Sequence, residues 1–312
     1  MLKFQSNYIT TIENLEDFIL TIFVLIDDLY QEHVPSSISQ RRQIQTAKLS
    51  DSEIITIAIC GETMGIDSEQ AWFSFVKKNL RFLFPNIGSR SRFNRTRRAL
   101  CSTTELVREK LLALCSVFDS SYAIVDSFPL PVCKFGRAHF CRSFRGFGAD
   151  YGYCPSKKET YFGYKVHVLI TLQGFITQFE VTPASIDDRE GLRDLSQVCS
   201  HSVLLADKGY VSQCLTEELE QQGICLLPLK RSNSKENYSK SLRSMIFRQR
   251  RKIETIFSQL CEQLKIERVL AKSYAGLLTR LVNKILAHNL CMVCNLLLGK
   301  TFEITQIKHL LF

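Results

Sequence analysis

One short stretch, residues 122–127, constrains the fold of this chain more than any other. Its apolar residues run directly into Asp126, and residues 128–131 then include two prolines. An apolar run with β-branched residues that is bounded by proline predicts a buried strand ending near Asp126. A carboxylate in that position is held rigidly and partly desolvated, which suits a metal ligand. The alternative is an ordinary aspartate that caps a turn.

Two later stretches supply carboxylates in comparable settings. Residues 203–206 are apolar and lead into Asp207, which is followed by Lys208 and a glycine turn. Glu254 lies in a segment with apolar residues at positions 253, 256, 257, 260 and 264, the pattern of one face of an amphipathic helix. Two strand-end aspartates and one helix-edge glutamate could therefore converge on one site.

Four motifs, taken in order, resemble those of DDE-type transposases from bacterial insertion sequences, and most of all the insertion-sequence family numbered nine hundred and eighty-two. The motifs are residues 126–131 (DSFPLP), 164–167 (YKVH), 205–210 (LADKGY) and 250–254 (RRKIE). The resemblance implies that Asp126, Asp207 and Glu254 are the catalytic acidic triad and the metal ligands.

The predicted elements follow the order strand, hairpin, helix, strand, helix, strand and long helix, which is typical of an RNase H-like domain. The resemblance implies the same α/β fold, a mixed five-stranded sheet with flanking helices, whose first and fourth strands lie side by side. Residues 1–118 are predicted to be an all-helical DNA-binding domain. Residues 119–298 are assigned to the catalytic domain, with an insertion at 134–161, and residues 299–312 to a C-terminal tail.

The chemistry that this triad suits is phosphodiester cleavage. Mg²⁺ prefers carboxylate oxygens, and two Mg²⁺ ions, for which Mn²⁺ can substitute, activate a water and stabilise the leaving oxygen. Asp126 is expected to bridge the two ions. The resemblance further implies joining of the cut ends to a target. A metal-dependent nuclease that does not transpose and a DNA-binding protein without catalysis are the alternatives.

Basic residues point to double-stranded DNA as the partner. Residues 89–98 hold five arginines, and residues 134–161 interleave cations with aromatic rings. Cations pair with phosphates and rings stack on bases; the alternatives are a solvated helix face and aromatics that fold onto the core. The predicted DNA contacts are Arg90, Arg92, Arg95, Arg97, Arg98, Lys134, Arg137, Arg142, Arg145, Lys157, Lys158, Lys165, Lys208 and Arg250.

The surroundings of Glu254 match the resemblance only in part. Related transposases place a tyrosine, an arginine and a lysine around the third carboxylate. Arg250 matches the arginine, whereas Phe247 stands at the tyrosine position and Cys261 at the lysine position. These two departures leave the predicted metal ligands unchanged. Phe247 and Cys261 cannot make the contacts that the tyrosine hydroxyl and the lysine ammonium make in the related transposases.

Three other residues are rival candidates for the site. His167 lies in an alternating stretch, which favours an ordinary residue of the sheet over a ligand or base. Asp187 and Asp188 precede a predicted helix, and one of them is expected to be its N-cap. Their carboxylates are nevertheless the nearest alternatives for a metal site.

Composition sets the remaining limits. A formal net charge of +9 suits the predicted partners, the terminal repeats and the target DNA, with a homodimer expected on DNA. The twelve cysteines, without a secretory signal, predict reduced thiols in a cytoplasmic protein. The resemblance to insertion-sequence transposases implies a bacterial, nucleoid-associated protein. Cys291 and Cys294 are interpreted as core residues. No stretch reaches the roughly 18 consecutive apolar residues of a membrane span, so no membrane partner is expected.

Overall fold

A computed structural model of the chain describes residues 12–41, 44–66, 68–230 and 238–299. The described helices are α1 (Leu15–His33), α2 (Ser36–Ser39), α3 (Asp51–Thr63), α4 (Glu69–Asn79), α5 (Arg90–Ala99), α6 (Cys101–Leu114), α7 (Arg142–Arg145), α8 (Asp188–Ser196), α9 (Gln213–Gln221), α10 (Lys240–Ser258) and α11 (Tyr274–Leu297). The described strands are β1 (Tyr122–Pro131), β2 (Asp150–Cys154), β3 (Glu159–Thr171), β4 (Ile176–Pro183), β5 (Val203–Ala206) and β6 (Cys225–Pro228).

The chain divides into two compact units. The helical unit combines the described residues up to Cys115 with those from Leu260 onward, and the sheet unit is Ser116–Gln259. No helix among the described residues is both long and apolar enough to span a membrane. Most of the predicted C-terminal tail, residues 300–312, lies outside the described residues.

Capping side chains mark the start of two helices in the helical unit. Asn14 accepts a hydrogen bond from the backbone N–H of Asp17 at the start of α1. Ser50 and Glu53 form a capping box that begins α3, each side chain accepting from the other residue's backbone N–H. Helix α1 packs against both α3 and α6, and the three helices contribute to the core of this unit.

The last helix corrects the predicted domain division. All residues from 279 to 295 on α11 are buried, and the helix packs against α3 and α6 rather than against the sheet. A helix that is buried on every side needs partners all around it, and the N-terminal helices supply them. The predicted catalytic domain of residues 119–298 therefore extends too far, since the chain returns to the helical unit after Gln259.

The sheet unit is built on a mixed sheet of six described strands in the order β2-β3-β1-β5-β6, with β4 also paired to β3. The pairs of β1 with β5 and of β5 with β6 are parallel, and the others are antiparallel. Helices α8, α9 and α10 pack against the sheet. The mixed sheet with flanking helices is confirmed, as is the side-by-side placement of the strands that precede Asp126 and Asp207.

The prediction of five strands missed β2. This strand lies inside the predicted insertion, and it alternates in an unusual way, with exposed tyrosines at 151 and 153 and a buried Gly152 between them. A Cβ at Gly152 would come within 2.7 Å of the Ala184 carbonyl oxygen, so the close packing needs glycine. Because its inward residue has no side chain, the strand shows no apolar pattern.

The first strand is longer than predicted. Pro129 and Pro131 were expected to end it, yet both remain paired with β3. The backbone N–H of Val132 donates to β3, so the alternation of the strand turns both proline nitrogens toward the opposite edge. There β5 reaches only as far as Ile124, and no ladder bond is lost. Asp126 therefore lies inside β1, just beyond the point where its parallel neighbour stops.

Candidate active site

The predicted acidic residues come from three elements of the sheet unit. Asp126 lies in β1, Asp207 directly follows β5, and Glu254 is on α10. The register of the two parallel strands, continued by two residues, sets Asp126 beside Asp207. Because α10 packs against both strands, it brings Glu254 to the same place.

The three carboxylates meet on one cation, the guanidinium of Arg250. Its Nη1 lies 3.3 Å from Oδ2 of Asp126, its Nη2 3.2 Å from Oε1 of Glu254, and its Nε 3.8 Å from Oδ1 of Asp207. Arg250 precedes Glu254 by four residues, so both side chains leave the same face of α10. The guanidinium side chain is 15% exposed, whereas that of Glu254 is 59% exposed. The site is thus closed around Arg250 and open beside Glu254.

Asp126 is the most enclosed of the three carboxylates. Its Oδ1 accepts a hydrogen bond of 2.9 Å from the backbone N–H of Ser127, which leaves Oδ2 to face Arg250. Burial raises the pKa of Asp126 to about 6, and the nearby Asp207 and Asp188 add to the rise, although the Ser127 N–H and Arg250 both oppose it. A carboxyl group that titrates this close to neutrality is typical of functional sites.

A fourth carboxylate, that of Asp188, approaches from α8. Along a strand, successive side chains point to opposite faces, so Asp126 faces α10 while Ser127 faces α8. The Ser127 hydroxyl donates to Oδ1 of Asp188 at 2.8 Å, and the Lys165 ammonium lies 3.1 Å from the same oxygen. Lys165, a predicted DNA contact, also donates to the carbonyl of Ile186 and is held within the protein.

The other rivals have structural roles. Asp187 caps α8, and its hydrogen bond with Arg189 lowers the pKa of Asp187 to about 2. His167 is fully buried on β3, with its Nε2 2.9 Å from the hydroxyl of Thr182, and burial lowers the pKa of this histidine to about 4. The imidazole is therefore neutral at pH 7, and the interpretation of His167 as a sheet residue is confirmed.

The donor atoms suit a divalent cation in kind. Carboxylate oxygens are the ligands that Mg²⁺ and Mn²⁺ prefer. The buried hydroxyl of Tyr210, beside Asp126, Asp188 and Asp207, has no hydrogen-bond partner among the described residues. No three His, Cys, Asp or Glu side chains in the described part of the chain lie close enough to hold a metal. The Arg250 guanidinium lies among the triad carboxylates.

A cavity of about 410 Å³ adjoins Asp207 and Arg250. Its other charged lining residues are all cations, and Phe247, 55% exposed, forms part of its wall. Sequence reasoning singled out Lys208 and Arg250 among them but missed Lys230, Lys240 and Arg243. The helical spacing of positions 240, 243, 247 and 250 places these four residues on one face of α10. The cations are Lys208, Lys230, Lys240, Arg243 and Arg250.

The predicted insertion presents an exposed basic and aromatic surface. Phe144 is buried, and the hydroxyl of Tyr164 donates to the carbonyls of Phe144 and Phe147, which anchors the segment. Other rings stay at the surface, with Phe140 79% and Tyr153 59% exposed. The interpretation that these aromatics fold onto the core therefore holds in part, and base stacking by the exposed rings stays a prediction. The exposed cations of the segment are Lys134, Arg137, Arg142, Arg145, Lys157 and Lys158.

The arginines of α5 have two different environments. Arg97 is buried and paired with Glu69 of α4, so its prediction as a DNA contact is corrected. Arg92 and Arg95 are exposed and line a groove of about 670 Å³ within the helical unit. The two remaining arginines of the cluster, Arg90 and Arg98, are exposed and hydrogen-bonded within the unit.

Comparison with known proteins identifies the family. A solved structure of a piggyBac transposase in a synaptic complex with hairpin DNA is similar to this chain, with 12% identity and a TM-score of 0.39 over 96% of this chain and 79% of that chain. No curated protein matches the sequence. The model of the transposase DDE domain matches residues 119–274, half of the chain, and this range holds all three triad carboxylates. The chain therefore belongs to the DDE transposase family.

Proposed function

We propose that this transposase cleaves and joins phosphodiester bonds at the ends of its own insertion sequence, with Asp126, Asp207 and Glu254 as metal ligands. Family membership implies dependence on a divalent metal; two Mg²⁺ ions, replaceable by Mn²⁺, are the proposed cofactors. The observation that carries the proposal is the convergence of the three carboxylates on a single cation. The four motifs support an RNase H-like domain and the insertion-sequence family numbered nine hundred and eighty-two.

Each triad residue has a distinct part in this proposal. When bound, the divalent metals would activate the attacking hydroxyl and stabilise the leaving oxygen. The Ser127 N–H holds Oδ1 of Asp126, and Oδ2 faces the Arg250 guanidinium. Glu254 lies on the open side of the site, where a DNA backbone can approach.

The cations of the sheet unit supply the proposed DNA surface. Lys208 and Arg243 line the cavity beside the triad and are placed to pair with phosphates flanking the cut bond. The exposed insertion would supply a further basic surface on the sheet unit, and Arg92 and Arg95 another one within the helical unit. Synapsis of two DNA ends requires at least two active sites, which supports a homodimer on DNA.

The test is a cleavage assay with the full-length protein on DNA carrying the ends that flank its own gene. We expect Mg²⁺-dependent nicking at those ends, abolished by EDTA. Asp126→Ala and Glu254→Ala should each lower it by more than about a hundredfold, since loss of an outer-shell partner alone lowers metal-site activity by 10–100-fold. Glu220→Ala, which removes an exposed carboxylate on α9, is the matched control.

Three results would contradict the proposal in different ways. Nicking that survives both triad substitutions would place the active site elsewhere, and Asp188 would be the next residue to change. Cleavage without joining of the ends to a target would indicate a nuclease. Specific binding without nicking under any divalent metal would indicate a DNA-binding protein that lacks catalysis.

A further inference from the structure

The guanidinium of Arg250 occupies the space that a metal bound by the triad would need. It lies within 3.2–3.8 Å of all three carboxylates. Mg²⁺ binds its oxygen ligands at about 2.0–2.1 Å and requires near-octahedral geometry. A guanidinium that reaches each carboxylate through a different nitrogen cannot remain among oxygens that close to such distances around an ion.

We infer that Arg250 is a positioning residue that holds the three carboxylates together in the metal-free protein and leaves them when divalent metal binds. The inference rests on the proposed function, in which the triad is the metal site. Three negative charges converge here, and without a cation their mutual repulsion would drive them apart. Arg250 offsets one of these charges, so the site is preformed but still strongly attracts a divalent cation.

A cavity beside the triad offers space for the Arg250 side chain once metal displaces it. The 410 Å³ cavity is lined by Arg250 itself, so the guanidinium can turn into it while α10 stays in place. That cavity already holds Lys208 and Arg243, whose charges repel a further cation. A phosphate bound among them removes this repulsion and gives the guanidinium a bidentate partner.

Metal binding and phosphate binding are therefore coupled through Arg250. A phosphate in the cavity draws the guanidinium away from the carboxylates, which lowers the free energy needed for metal to enter. By linkage, bound metal strengthens phosphate binding by the same factor. The transposase would then load its metals most readily when a DNA backbone already lies at the site, which restricts cleavage to bound substrate.

Arginine suits this exchange better than lysine would. Its fork of N–H groups contacts Asp126, Asp207 and Glu254 at once, whereas an ammonium is a compact point charge. Arg250→Lys should therefore keep a cation near the triad but hold the carboxylates less well. It separates the effect of charge alone from the effect of the planar fork.

The experiment measures Mn²⁺ binding to the full-length protein by titration calorimetry, with no turnover needed. Wild type, Arg250→Gln, Arg250→Lys and Asp126→Asn are compared with and without dimethyl phosphate, a soluble phosphodiester, at constant ionic strength. Arg251→Gln removes an exposed arginine next along α10 and is the matched control. Circular dichroism verifies that each variant is folded.

We expect dimethyl phosphate to tighten Mn²⁺ binding to wild type by about tenfold, within the usual range for coupled sites. Arg250→Gln should bind Mn²⁺ about tenfold more tightly than wild type without the phosphodiester, and should lose the response to it. Arg250→Lys should fall between the two, and it carries the test alone if Arg250→Gln does not fold. Arg251→Gln should match wild type.

Equal or weaker Mn²⁺ binding in both Arg250 variants would overturn the inference, as would a response to dimethyl phosphate that persists in them. In either case Asp126→Asn should still abolish binding, and the proposed metal site would stand. Mn²⁺ binding that Asp126→Asn leaves intact would instead remove the triad as the metal site, and the inference would fall with it.

Discussion

At the scale of single residues, the fold places the Asp126 carboxylate where its charge is unfavourable. Burial is the main cause, and Asp207 and Asp188 add repulsion, so that the pKa of Asp126 rises to about 6. Arg250 and the Ser127 N–H offset only part of this. Functional sites commonly keep such groups at the expense of stability. The amino-acid sequence places an aspartate after apolar residues but does not state which charges surround it.

The resulting prediction concerns Asp126→Asn and pH. The pKa of Asp126 is higher in the folded protein than the ordinary 3.8, so folding favours the protonated carboxyl group. The stability that this group contributes is fully present below pH 3.8 and is lost as the pH rises through about 6 and the carboxyl group ionises. Removing the charge should therefore raise the free energy of unfolding at pH 8, by up to about 3 kcal/mol for a rise of this size. The gain should shrink toward zero near pH 4. Urea unfolding followed by circular dichroism at several pH values measures it.

The control for this prediction is Asp28→Asn, which neutralises an exposed carboxylate on α1. It should change the unfolding free energy by no more than about 0.5 kcal/mol. A gain for Asp126→Asn that is the same at pH 4 and pH 8, or a loss at pH 8, would show that burial of this charge is not unfavourable. The ion pair with Arg250 would then outweigh it.

The arginines of α5 show where residue-level prediction fails. Arg95 and Arg97 belong to the same basic run, and nothing within the run separates them. Arg97 is buried because Glu69, 28 residues earlier, meets it from α4. A contact between two helices decides the role of each arginine, so local pattern finds the cluster but not its exposed members.

At the scale of elements, the position of α8 depends on one close approach. A Cβ at Gly191 would come within 2.4 Å of the His167 ring on β3, so the helix can lie this near the sheet only with glycine there. The same approach sets Asp188 against Ser127. Sequence analysis predicted the helix and an N-cap at Asp187 or Asp188, but a glycine inside a helix carries no signal of what it packs against.

We therefore expect Gly191→Ala to push α8 from the sheet and to lower the free energy of unfolding by about 1–3 kcal/mol, the usual effect of overpacking. The same substitution in a His167→Ala background should be milder, because the added methyl then fills space that the ring has left. A double-mutant cycle, measured by urea unfolding, should give a coupling of about 0.5–3 kcal/mol.

Gly136→Ala is the matched control for this cycle, since a Cβ at that position would meet nothing within 4 Å. Its effect should stay within about 0.5 kcal/mol in both backgrounds. If Gly191→Ala were equally destabilising with and without the His167 ring, the close approach would not be what fixes α8. A steric contact other than the ring would then be the better explanation, because alanine favours a helix more than glycine does.

At the scale of the whole molecule, the described residues before Ser116 and those after Gln259 form the helical unit, and the sheet unit lies between them in the sequence. The apolar run that forms α11 is visible in the sequence. The predicted catalytic domain of residues 119–298 nevertheless grouped this helix with the sheet, because the two are adjacent along the chain. The contact between α11 and α3 is partly ionic. Buried Arg280 and Lys284 on α11 pair with buried Glu62 on α3, which lies more than 200 residues earlier in the sequence.

The last prediction tests whether these buried ion pairs hold α11 against α3. Glu62→Gln keeps the shape of the side chain but removes the negative charge facing two buried cations. Breaking a buried ion pair from one side typically costs about 3–5 kcal/mol.

The chain has a single tryptophan, buried Trp72, which donates to the carbonyl of Ile57 on α3, so its fluorescence reports unfolding of the helical unit. The fluorescence transition in urea should move to lower concentration by this amount of free energy, whereas Glu16→Gln, an exposed change on α1, should leave it in place. A shift of less than about 1 kcal/mol for Glu62→Gln would mean that apolar packing, and not the buried charges, holds α11 against α3.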